Sequence, residues 1–161
     1  MSEAPESKTV QLIYEHIKDA PYKQFETVKS LEDKMVKIFT VAGVVIGLAG
    51  LSSKGLKVDT TTNILLVGAL IAFVATAAFA FYHLWPVNLR LSRHAGTLWH
   101  NSHQLTSDQV RQQLISSISA ANAHNEEILK KKSTVQTYAL VTTSLEVIMV
   151  GVAIVVSRLG S

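Results

Sequence analysis

No cysteine occurs anywhere in the 161 residues. That excludes a disulfide framework, a thiolate nucleophile and any Cys-ligated metal. Charge is sparse: 17% of residues are Asp, Glu, Lys or Arg against 48% hydrophobic, and mean hydropathy is +0.26. The first 34 residues are polar and charged, with no basic stretch leading into an apolar run and a small-residue cleavage site. No cleaved signal peptide is therefore expected, and the first apolar span must itself direct insertion. Also lacking are a nucleophile–base pairing, a Gly-rich phosphate loop, an HExxH helix and paired carboxylates. The sequence predicts neither enzymatic activity nor a cofactor. A net charge of +3 and a pI of about 9.2 do not by themselves imply nucleic-acid binding.

The apolar content falls in three blocks, which a soluble helix with one apolar stripe does not show. The sequence predicts an all-α integral membrane protein with three transmembrane helices, an N-terminal amphipathic helix, and a long cytoplasmic helix running into the last span. The divisions are cytoplasmic N-terminal helices over 1–34, a transmembrane hairpin over 35–86, a cytoplasmic helical region over 87–134 and a third transmembrane helix over 135–158.

In the N-terminal part, Val10, Ile13, Tyr14 and Ile17 fall at helical spacing. Asp19-Ala20-Pro21 breaks that helix and starts the next, since Pro is tolerated in a first turn. The first span carries Gly43-x-x-x-Gly47, a spacing that lets helix backbones approach closely in lipid. In the second, Gly68, Ala72, Thr76 and Ala80 recur every fourth residue. These six residues are the expected packing faces of a homo-oligomer, with four copies envisaged. Tyr82, His83 and Trp85 gather at the end of the second span, as interfacial residues do, and Pro86 closes it.

Between the second and third spans the chain is basic and contains an aromatic ring. Arg90, Arg93, His94, Trp99 and His103, with Arg111, form a candidate site for an anionic ligand, by charge pairing and stacking. His100-x-x-His103 has metal spacing but no carboxylate beside it, so no metal site is expected. Thr106-Ser107-Asp108 is a helix-start signal, and no Gly or Pro follows until Gly151. One helix of about 50 residues is expected from there.

Eight Lys and Arg residues flank the spans on one side (29, 34, 37, 90, 93 and 130–132) and three on the other (54, 57, 158). The positive-inside rule then puts the N-terminus in the cytoplasm and the C-terminus in the periplasm, in a bacterial inner membrane. The third span contains Glu146, about 12 Å along the helix from Tyr138 and about 18 Å from Arg158. A carboxyl group at that depth costs roughly 3 kcal/mol on insertion scales. Glu146, with Thr142 and Thr143 on the turn before it, is the candidate lining of a pore formed by several copies. The competing reading is a protonated acid hydrogen-bonded to a neighbouring helix.

The order of elements carries a resemblance. A first span is introduced by Ser30-Leu31-Glu32-Asp33-Lys34, and a second ends near a proline. A cytoplasmic helix holding Asn125-Glu126-Glu127-x-x-Lys130 then runs into a final span. This resembles the SLATT-type and Pycsar-type small transmembrane effectors of bacterial nucleotide-signalled anti-phage defence systems. The resemblance implies a pore or ion channel effector opened by a nucleotide or oligonucleotide from a partner nucleotidyltransferase or cyclase. Disruption of the inner membrane then aborts infection. The alternative is a non-conducting membrane scaffold or partner-docking subunit. A small proton-coupled transporter subunit is disfavoured, since no inverted repeat or broken helix is visible.

Overall fold

A computed structural model describes residues 5–52, 59–90 and 106–159, and among them every regular element is helical. The helices are α1 (Pro5–Ile17), α2 (Ala20–Ser52), α3 (Thr60–Leu84) and α4 (Ser107–Leu159). The boundaries follow local chemistry. Between α1 and α2 the Lys23 amide returns to the Asp19 carbonyl at 3.1 Å, making Asp19 the cap. Pro21 then falls in the first turn, where a missing N–H loses nothing. Asp59 caps α3 from an extended backbone (φ −86°, ψ 170°), its carboxylate accepting the Thr62 amide at 2.7 Å. That backbone N–H holds the exposed Asp59 carboxyl below the usual carboxylate range.

Pro86 ends α3, and Trp85 before it turns extended (φ −56°, ψ 131°). The start of α4 is a reciprocal capping box. Thr106 Oγ1 accepts the Gln109 amide at 3.4 Å, and Gln109 Oε1 accepts the Thr106 amide at 2.9 Å. From there α4 continues for 53 residues, roughly 80 Å, in agreement with the long uninterrupted helix expected from its sequence.

The chain forms two compact units. The first combines Met1–Lys29 with Val87–Lys130, and the second combines Ser30–Pro86 with Lys131–Ser161. In the first unit Val28, Ile118, Ala121 and Asn125 are buried.

The second unit is a three-helix bundle whose buried positions recur every seven residues. They are Met35, Ala42 and Ala49 on α2, and Thr62, Ala69, Thr76 and His83 on α3. On α4 they are Lys132, Ala139, Glu146 and Ala153, with a second row of Thr143, Val150 and Ser157. A seven-residue repeat drifts only about 20° per heptad around a helix, so helices in contact along their whole length must follow it.

Most of this seam is small or polar, while the large apolar side chains point outward. Leu48 is 58% exposed, Ile64 68% and Ile148 59%. Water-soluble bundles do the reverse, burying Leu and Ile and exposing polar groups. Small residues inside and branched ones outside suit helices that associate by close backbone approach in hydrocarbon. Three helices of the protein, α2, α3 and α4, are long and apolar enough to cross a bilayer.

Candidate functional site

The centre of the second unit is a layer of hydroxyls with one acid beside it. Thr142 Oγ1 lies 3.1 and 3.0 Å from the Tyr138 and Ala139 carbonyls, and Thr143 Oγ1 lies 2.9 Å from the Ala139 carbonyl. Each hydroxyl has a single proton, and these bonds use it. Thr76 therefore donates its own single proton across to α4, to Thr142 Oγ1 at 2.7 Å, and lies 3.3 Å from Thr143 Oγ1. Aromatic pairs lie along the same unit: Phe39 stacks on Phe73 and Phe79 meets Tyr138, each with ring centroids 6.0 Å apart.

One turn beyond Thr142 and Thr143 stands Glu146, with no exposed surface. Neither carboxyl oxygen has a hydrogen-bond partner. The other buried polar atoms without one, among the described residues, are Thr62 Oγ1, His83 Nε2 and Asn122 Oδ1. Glu146 is the only acid among them. A buried, unserved polar group costs about 1–3 kcal/mol, and a charged one far more. No other Asp, Glu, Lys, Arg or His lies between Ile38 and Leu51, between Thr60 and Tyr82, or between Ala139 and Ser157. Nothing in those stretches can supply a countercharge.

The same seven-residue stripe of α4 carries two further polar residues, and both are served. In the first unit Asn125 reads the backbone of Arg90. Its Oδ1 accepts the Arg90 amide at 2.9 Å, and its Nδ2 donates to the Arg90 carbonyl at 3.0 Å. The Nδ2 also reaches Gln24 Oε1 at 3.1 Å, and Gln24 Nε2 donates to the Asn122 carbonyl at 3.2 Å. In the second unit the Lys132 ammonium donates to Glu32 Oε1 at 2.8 Å and to the His83 carbonyl at 2.6 Å. The His83 ring answers through Nδ1, 3.1 Å from the Lys132 carbonyl. Asn125, Lys132 and Glu146 are thus three polar positions of one buried stripe. Only the last has no partner for its functional group.

Against the sequence expectations, Thr142 and Thr143 do come together, through Thr76. Glu146 and Thr143 face the interior of their own protomer. Of the every-fourth-residue face on α3, Thr76 and Ala80 are buried within the protomer. A Cβ on Gly68 would meet Met149 Sδ at 2.9 Å, so this glycine too serves internal packing. A four-residue repeat advances about 40° around the helix at each step, so one neighbour cannot cover the entire face. Ala72 is accordingly only half-buried. Gly43 and Gly47 differ, because a Cβ at either would meet nothing within 4 Å.

Of the anionic-ligand candidates, Arg90 is exposed at the end of the described 87–90 stretch, and Arg111 pairs with Asp108 at 3.7 Å. Arg93, His94, Trp99 and His103 lie outside the described residues, as do Lys54, Lys57 and His100. Among the described residues no group of three or more His, Cys, Asp or Glu is arranged to hold a metal ion. The sequence reading placed Asn125 on the same helix side as Ile118 and Ala121, but missed Lys132 and His83 as interior polar positions. The signal for Lys132 was present in the spacing of 125, 132, 139, 146 and 153.

These features define an all-helical protein with three helices able to cross a bilayer and an unserved acid in the bundle they form. No family model matches the chain, and comparison with the curated proteins and with the solved structures found no match.

Proposed function

We propose that the protein is a homo-oligomeric membrane pore of the bacterial inner membrane, with its N-terminus cytoplasmic, and that it acts as an effector opened by a nucleotide or oligonucleotide. The observation that carries this reading is Glu146: a carboxyl group at mid-span, fully buried, with no partner for either oxygen. Such a group destabilises the bundle, and Lys132 and Asn125 on the same stripe show that this sequence can serve a buried polar side chain. An acid kept without service is the mark of a functional site in a membrane span. In this reading the protomer with Glu146 turned inward is the closed state. Opening parts α3 from α4 and brings water to Glu146 and the Thr76, Thr142 and Thr143 hydroxyls, where the carboxylate attracts cations. Gly43 and Gly47, with open space before them, give α2 a face for a second copy. The trigger is anionic and meets Arg90 and the basic stretch that follows it, with its source in a partner nucleotidyltransferase or cyclase. Membrane disruption then serves antiviral defence by abortive infection.

The test is ion flux through purified protein in liposomes under a salt gradient. Wild type should pass cations in preference to anions, and Glu146→Gln should assemble equally well but lose that preference. Equal selectivity with intact assembly would remove Glu146 from the pore. No flux from wild type with any added nucleotide would favour the second reading, a non-conducting scaffold. Reversing Arg90 and Arg93 to Glu should abolish the response to nucleotide and leave insertion intact.

A further inference from the structure

The chain passes between its two units three times, at 29/30, 86/87 and 130/131. Glu32, His83 and Lys132 each lie within three residues of one of these points. Each belongs to a different helix of the second unit, and all three are joined. The Lys132 side chain is 6% exposed, yet its ammonium reaches the Glu32 carboxylate on α2 and the His83 carbonyl on α3. The His83 carbonyl is among the last four of α3, which have no partner within the helix. Pro86 prevents the helix from continuing to supply one. The ammonium therefore stands at the negative end of the α3 dipole, where a cation is favoured. In return His83 Nδ1 must donate to the Lys132 carbonyl, since a carbonyl only accepts. Residues 83 and 132 thus exchange side-chain-to-backbone bonds, and Glu32 supplies the countercharge.

We propose that this clasp is a latch: Lys132 holds α2, α3 and α4 closed at the edge of the second unit, and loss of its bond to Glu32 lets the bundle open. Two features make it releasable. All three bonds converge on one residue, so a single displacement breaks every tie. Glu32 is 38% exposed, so water and ions reach the countercharge while the ammonium stays covered. The inference takes its activity readout from the pore reading; its structural readout is independent of it.

The absence of cysteine makes the structural test direct. Spin labels at Tyr82→Cys and Ser133→Cys, both exposed positions near the clasp, report the α3–α4 separation of the full chain in liposomes. Lys132→Met should lengthen and broaden the distance distribution and raise ion leak about tenfold or more without any nucleotide. Lys132→Arg retains a charged donor able to reach both acceptors, and should behave as wild type in both measurements. Glu32→Gln keeps the side-chain shape without the charge, and should broaden the distribution partially. Wild-type distances in Lys132→Met overturn the latch. If that variant does not fold, wild-type distances in Glu32→Gln overturn it instead. Altered distances in Lys132→Met with no leak from any variant would establish the latch and sink the pore reading.

Discussion

Glu146→Met should stabilise the protein while removing its activity. Met matches Glu in length and closely in volume, and it carries no oxygen needing a partner. Glu146 buries two oxygens, neither of them hydrogen-bonded. Relief of one unserved buried polar group is worth about 1–3 kcal/mol, and the thioether adds contacts with the apolar side chains around it. Some of this is lost if the new methyl crowds a packed seam. The net expectation is an unfolding free energy higher by about 2 kcal/mol, measured by chemical denaturation in mixed micelles. In liposomes the same variant should pass no ions.

The identical substitution at Lys132, two heptads earlier on the stripe, should have the opposite sign. It deletes two bonds from a charged donor, at a cost of about 2 kcal/mol once screening at the half-open Glu32 is counted. A Glu146→Met protein less stable than wild type would show that the carboxyl group is served after all. Wild-type flux in it would show that the acid has no part in conduction.

Asn125→Ala leaves the Arg90 amide and carbonyl and the Gln24 side-chain oxygen Oε1 without their shared partner, and should cost about 2–3 kcal/mol; faster hydrogen exchange at the Arg90 amide checks it. Gly47→Leu has open space within the protomer, so it should lower the mass of the assembly in mild detergent while leaving protomer melting unchanged. Asp59→Asn keeps a capping oxygen but abolishes a pH dependence. The wild-type carboxyl is held below its usual range by the Thr62 amide, so its added contribution to stability is present above the unfolded carboxylate range and fades as pH falls through the folded value. A pH titration of unfolding below about pH 5 should separate the two proteins. Reporter fusions at Ser161 and in the 54–59 segment should both read as periplasmic; a cytoplasmic signal from either reverses the orientation.

The amino-acid sequence by itself determined the elements. Three apolar blocks, Asp19 and Pro21 at one boundary, Pro86 at another, and the lack of Gly and Pro from 108 to 150 are local facts. They set helix lengths and ends whatever the helices later touch. Glu146 was visible for the same reason, as the one charged group in a run of apolar residues. Which face of each helix turns inward was a different matter. Small residues every fourth place on α3 looked like one surface, but the packed seam follows a seven-residue repeat through Thr62, Ala69, Thr76 and His83. Rotation about a helix axis is settled jointly by three helices, each needing one continuous contact line. Only the tertiary structure shows that Lys132, one of three consecutive lysines with the same local chemistry, is the one turned into the bundle to meet Glu32 and His83. Only it shows that Asn125 has found a backbone to pair with while Glu146 has found nothing, because partners 35 to 101 residues away in sequence are chosen by packing.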